Sequence, residues 1–383
     1  MTTDVHKNSQ PKVQKKARLL SVDALRGFDM FWILGAEGIF AALFILTGWS
    51  FLHTFDAQMK HTIWHGITAY DLIFPLFIFL SGVSLGIAAK PLKQYPAEQQ
   101  QQKKRHAHKR LITLLCLGVL YNHGWGTGVP MALDEIRFAS VLGRIAIAWY
   151  VAAMLVWYLS HKAQWIVCAV ILIGYYLLLS FASIGEYGNG SLTSTHAINV
   201  WFDQTILPGA TYQNLPLDPE GILSNIPSIV NAMAGAFIGR LMIKFQSSPS
   251  ILLKQLSLYG IAMLAIGYAW SGIFPLNKTL WTSSFVLVTC GYSTLLLTLF
   301  YYVIDVCQVK KWATFFAIIG TNSIVAYLAT SFVNWQFIAN SLFGGVILAV
   351  PAALAPTIKV VTFVMIQWLI LHWLYQRKIF IKV

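Results

Sequence analysis

KHTIWHGITAYDLIFPLFIFLSG, Lys60 to Gly82, sets a polar stretch with two histidines directly against an apolar run. The apolar part belongs to a segment, 68–89, that meets the need of a membrane-crossing helix for about 20 mostly apolar residues. Further segments of this kind lie at 27–48, 111–121, 138–160, 164–183, 222–243, 252–273, 281–304, 313–333 and 357–376. The one at 111–121 is short and has to borrow from its flanks. Another apolar piece, 344–356, carries Pro351 and Pro356 and is too short to span. It reads as re-entrant or interfacial, and counting it as a span would make eleven.

Composition points the same way. Of 383 residues, 57% are hydrophobic and 11% charged, whereas soluble chains carry roughly 25% charged residues. The expected fold is all-α, a polytopic membrane bundle of about ten transmembrane helices. Residues 1–20 read as a basic cytoplasmic tail and 21–383 as the transmembrane domain. The first 17 residues lack the apolar core of a cleavable signal, so the first apolar helix is expected to act as the insertion signal. Cys116, Cys168, Cys290 and Cys307 sit in or beside apolar runs with no metal-ligand spacing, and read as small buried hydrophobes.

A net charge of +13 would suggest nucleic acid in a soluble chain. Here its placement decides. With ten spans, all Lys and Arg fall on one side except Arg26, Lys60, Arg137, Arg144, Lys278 and Lys359. By the positive-inside bias that side is cytoplasmic and holds both termini. Nucleic acid is not needed to explain the charge, and the lipid bilayer is the expected partner. The densest run, KKRHAHKR (103–110), reads as an anchor on anionic lipid or as a docking surface for an anionic cofactor. The other side carries the polar stretch quoted above and the segments 122–136, 184–221, 274–280 and 334–343, loops of the kind that bind and catalyse. No internal repeat is visible, so an inverted-repeat transporter gains no support.

Several residues carry chemistry. In SVDALRGFDMFWILGAEG, Arg26, Asp29 and Glu37 are offset by 0, 3 and 11. A continuous helix turning about 100° per residue would put them in one polar stripe about 16 Å long. Such residues inside a membrane face a bundle interior and are functional candidates, or else hold the helix in register as ion pairs. His61 and His65 stand i, i+4 if their segment is helical, a zinc-ligand spacing, but no third ligand follows and no metal is expected. A histidine beside a membrane-edge carboxylate suits general-base or nucleophile work. Asp71 could orient it, or merely cap a helix. Trp64 and Trp32 read as interfacial belt residues or sugar-stacking platforms. Arg137 and Arg144 need an anionic partner such as Glu135, a span carboxylate or a bound phosphate. Asp218 and Glu220 stand at the far-side mouth of a helix that continues in small residues, which suit close packing. Asn322, Ser323 and Tyr327 in GTNSIVAYL read as helix–helix hydrogen-bonding residues.

Taken together, SVDALRG, KHTIWHGITAYDLIFPLFIFLSG, IRFASVLGR, LDPEGILSNIPSIV, PLNKTLWTSSF, GTNSIVAYL and KIFIKV resemble the heparan-α-glucosaminide N-acetyltransferase group of transmembrane acyltransferases, in family order from about residue 18 onward. The family's N-terminal lumenal domain has no counterpart here, as in bacterial relatives. The resemblance implies acetyl-CoA as donor and an amino-sugar acceptor across a bacterial inner membrane, and it admits a homodimer. It places the catalytic histidine at His61, with Asp71 and Glu37 holding the imidazole; Glu37 stands where the family has an asparagine. His65 is the weaker histidine. Arg26, Arg137, Arg144 and Asn322 are expected on the acetyl-CoA side, Asn322 as a guess for the oxyanion donor. Trp64, His65, Asp218 and Glu220 are expected on the acceptor side. Bacterial relatives have also been labelled N-acetylglucosamine transporters, which keeps transport as the alternative.

Overall fold

A computed structural model describes residues 19–123 and 132–381. Residues 1–18, most of the expected basic tail, lie outside the described residues, as do 124–131 of the 122–136 segment and the last two residues of KIFIKV. The protein is an all-α polytopic membrane bundle, with one short antiparallel pair, β1 (Ser183–Ile184) and β2 (Tyr187–Gly188), among the described residues.

The first apolar segment does not form one helix. It divides into α1 (Leu20–Ile33) and α2 (Ile39–Thr47), bent by 68°. Gly35 makes the break at φ 104°, a left-handed conformation open to glycine at little cost. The single stripe joining Arg26, Asp29 and Glu37 is therefore corrected. Glu37 sits in a 3-10 turn (Ala36–Gly38) beyond the bend, and helical phase does not carry across it. A short α3 (Ser50–Gln58) follows, and then the loop that holds His61.

Next come α4 (Ile73–Ala88), α5 (Ala97–His123), α6 (Val141–Tyr158), α7 (His161–Phe181) and a short α8 (Ile198–Thr205). The second half comprises α9 (Asn225–Lys244), α10 (Pro249–Ser271), α11 (Ser283–Tyr301), α12 (Lys311–Thr321), α13 (Ser323–Phe332), α14 (Trp335–Ala349) and α15 (Ala355–Gln376). Among the described residues seven helices are long and apolar enough to cross a membrane, or nine if the bent pairs α1–α2 and α12–α13 each count once. The sequence expectation is about ten. The expected span 111–121 is the apolar half of α5, whose other half is a polar and basic run that hydrocarbon would reject. The 344–356 piece is also redrawn. Its first part closes α14, a helix of 15 residues, and Pro356 sits in the first turn of α15.

Small residues set the core. A methyl group at Gly82 or Gly86 of α4 would overlap the carbonyls of Ala232 or Ala236 in α9. In return, Gly235 and Gly239 of α9 meet the carbonyls of Phe79 and Val83 in α4. The two backbones touch along a seam, as small residues allow between helices in a membrane. Gly27 of α1 and Gly320 of α12 make a second such contact.

Because overpacking a tight core costs about 1–3 kcal/mol, Gly86→Val should lower the thermal midpoint of the solubilised protein by several degrees. Gly344→Val, where an added side chain meets open space, should leave it unchanged. Tryptophan fluorescence melts of the two variants check this.

Candidate functional site

The segment from Lys60 to Ala69 is an irregular loop, so the helical i, i+4 pairing of His61 and His65 does not form. It is clamped from two sides. Gly66 N donates to Leu276 O at 2.8 Å, and Asn277 Nδ2 donates to Trp64 O at 3.0 Å. Trp64 Nε1 donates to Leu192 O at 2.8 Å. Trp64 is thus pinned between loops, half-buried, with its N–H already used.

Below this loop Asp71 is fully buried, in a 3-10 turn (Tyr70–Leu72) that opens α4. A buried carboxylate must be hydrogen-bonded to be tolerated. Its Oδ2 accepts from the backbone N–H groups of Thr62 and Thr68, both at 3.2 Å, and from the Thr62 hydroxyl at 3.0 Å. Its Oδ1 lies 2.7 Å from His61 Nδ1 and 3.3 Å from Lys278 Nζ. With the proton on Nδ1 donated to Asp71, the Nε2 lone pair is the free one, and Nε2 has no hydrogen-bond partner among the described residues. The His61 side chain is 55% exposed, so its outer edge is open to a ligand.

Lys278 is the residue that sequence reading missed. Its Nζ stands 3.0 Å from His61 Nδ1. Burial holds its ammonium below the usual lysine range, against the opposing pull of Asp71. A signal existed, since Lys278 is one of the six basic residues off the basic side. Its loop is built to hold it. Fully buried Asn277 accepts from Leu280 N at 2.8 Å, and Trp281, at φ 54°, is fully buried against Phe74 and Phe285. Trp281 Nε1 donates to Asn231 Oδ1 of α9 at 2.9 Å.

Other expected site residues are placed differently. Glu37 shows no hydrogen bond to His61. The ring next to the imidazole is that of Tyr70, 4.8 Å away. One Glu37 oxygen is buried without a partner among the described residues. His65 is exposed, with Nδ1 3.5 Å from Asn277 Nδ2. Arg137 grips Asp218 through two N–H groups, at 2.8 and 2.7 Å, and Glu220 at 2.5 Å. Burial works against its charge, but the two carboxylates outweigh that and hold its pKa above the ordinary arginine value. Arg137, Asp218 and Glu220 therefore pair with one another.

Arg144 is buried. It donates to Pro219 O at 2.7 Å, to Ser224 Oγ and to Asn225 Oδ1 at 3.3 Å, and lies 4.5 Å from the Trp281 ring centroid. Arg26 contacts Ser84 at 3.0 Å and Asp23 at 3.7 Å. Asn322, at the 61° bend between α12 and α13, donates to Ile379 O at 3.0 Å and accepts from Ile381 N at 3.0 Å. Both ends of its amide are engaged by the segment after α15.

A multi-pass helical membrane protein with a histidine–aspartate–lysine cluster at one end of the bundle is the class that fold and site define. No family model matches the chain. It is similar to heparan-alpha-glucosaminide N-acetyltransferase from Mus musculus and from Homo sapiens, 26% identical to each over 70% of this chain and 48% of theirs. The chain is a distant relative of these two proteins and spans about half their length.

Two outcomes follow from the polar contacts. Asn322→Ala should lower the thermal midpoint by the equivalent of about 1–3 kcal/mol, since it removes two hydrogen bonds to the chain after α15, each worth about 0.5–1.5 kcal/mol. Asp203 gives a pH test. Its carboxyl is pushed up to about 6, chiefly by burial, although backbone N–H groups of Ile222 and Asp218 favour its ionised form. A raised carboxyl pKa means that the folded state holds the proton more tightly. Its contribution is therefore complete below about pH 4 and is lost as pH rises through about 6, roughly 3 kcal/mol in all. Melting curves of wild type and Asp203→Asn from pH 4 to 7 should differ by that slope.

Proposed function

We propose that the protein is a membrane-embedded acetyltransferase that moves an acetyl group from acetyl-CoA, entering at the basic cytoplasmic side, to the amine of glucosamine or a related amino sugar at the opposite face of a bacterial inner membrane. The observation that carries this reading is His61, held at Nδ1 by buried Asp71 and open at Nε2. The distant relatives are named as N-acetyltransferases of heparan-alpha-glucosaminide, which supports acetyl transfer to an amino sugar.

In the proposed reaction the sugar amine attacks the thioester carbonyl carbon while His61 Nε2 takes a proton from the nitrogen. The tetrahedral oxyanion collapses, the C–S bond breaks, and the proton passes to the leaving thiolate. The products are an N-acetyl sugar and free CoA. A variant in which Nε2 first accepts the acetyl group uses the same geometry in two half-reactions. Asp71 fixes the ring and stabilises the imidazolium that forms. Lys278 offsets the Asp71 charge from the Nδ1 edge of the ring, 3.3 Å from Oδ1, and so tunes the charge around the imidazole. Arg26 remains on the donor side. In this reading Arg137 is held by Asp218 and Glu220 and Asn322 by the chain after α15, while Arg144 binds Pro219 O and Ser224 Oγ and keeps a buried Nη1 without a hydrogen-bond partner among the described residues. Tyr70 borders the imidazole, its ring 4.8 Å away.

The test is a transfer assay with labelled acetyl-CoA and glucosamine. His61→Ala should abolish transfer, and His65→Ala should only reduce it. Lys278→Met should lower kcat at least tenfold with little change in KM for the donor. Free CoA should appear in step with acetylated sugar. Accumulation of labelled N-acetylglucosamine by proteoliposomes without any acyl-CoA would instead identify a transporter.

A further inference from the structure

A cavity of 810 Å³ opens between the end of α4, the basic half of α5 and the end of α6. Its volume lies in the range of small-molecule sites. Lys103, Arg105, Lys109 and Arg110 line it, with Ser84 and Trp149 on the facing walls. No carboxylate lines it among the described residues; Asp23, which pairs with Arg26 at 3.7 Å, is the acidic group at its edge. Ser84 brings Arg26 there by accepting from its Nη2 at 3.0 Å. Arg110 lies 4.1 Å over the Trp149 ring, and its Nε is buried with no hydrogen-bond partner among the described residues. A concave wall of cations against buried indole concentrates positive potential, and guanidinium and ammonium groups at such a wall recognise phosphate.

We propose that this cavity binds the phosphates of the nucleotide end of the donor. The inference rests on the acetyltransferase reading and moves the phosphates from Arg137 and Arg144 to α5. Ser84 lies 13 positions from Asp71 along α4, about 20 Å at 1.5 Å per residue. The cavity and His61 are thus at opposite ends of one helix, a separation that suits a donor with a charged head and a long thioester arm. An anionic lipid headgroup offers the same phosphate chemistry. The outward lysines alone would serve a headgroup, however, whereas the buried Arg110 donor and the cavity volume fit a nucleotide.

The experiment is calorimetric titration of the full chain in neutral-lipid nanodiscs with coenzyme A and with pantetheine, which lacks the phosphates. Coenzyme A should bind at least tenfold more tightly than pantetheine. Lys103→Ala/Lys109→Ala, a substitution at the rim, and Arg110→Gln should each weaken coenzyme A at least tenfold and leave pantetheine unchanged. His61→Ala should bind coenzyme A like wild type. If the rim variant binds coenzyme A as tightly as wild type, the cavity assignment is overturned and the acetyltransferase reading stands. If wild type binds no coenzyme A, both fall. If the rim variant loses only its preference for nanodiscs containing phosphatidylserine, the cavity is a lipid site and the nucleotide assignment is overturned.

Discussion

Burial of the Asp71 carboxylate is the constraint on which the site depends. A charge at the edge of a hydrocarbon layer persists only where donors surround it. Here they come from two directions: the loop that carries His61, Thr62 and Thr68, and Lys278 from the loop before α11. The network that makes the carboxylate tolerable also assembles the chemistry. Removing one partner leaves a buried charge short of donors, so this end of the bundle and its reactive imidazole hold together or fail together.

The same logic runs through the neighbouring loops. Arg137 with Asp218 and Glu220 closes the segment before α9. Arg144 ties that segment to the Trp281 ring, and Trp281 in turn anchors the loop holding Lys278. Polar pairs that read as ligand contacts in isolation form a frame around the reactive cluster. The open edge of His61 and the basic cavity on α5 stand outside this frame.

Some of this was legible in the sequence. His61 and Asp71 stand ten positions apart in a polar stretch before an apolar helix, and that contrast survives without any knowledge of the fold. Lys278 is 217 positions from His61, and only a tertiary contact joins them. The partner of Arg137 is 81 positions away, so its need for an anion was readable while the identity of the anion was not. Glu37 was misplaced because helical phase was extended through Gly35, where the chain turns by 68°. The apolar runs gave the bundle, but α5 shows that a run alone does not define a span when its other half carries the charge.

The backbone seam between α4 and α9 also has a mechanical consequence. Glycines of each helix rest against carbonyls of the other, so a slide of a residue or two would drive side chains into peptide groups along the contact. These two helices cannot glide smoothly past each other. They form a fixed keel, with Asp71 at the head of one of them, and any path by which molecules enter or leave has to open through loops or through helices outside that pair.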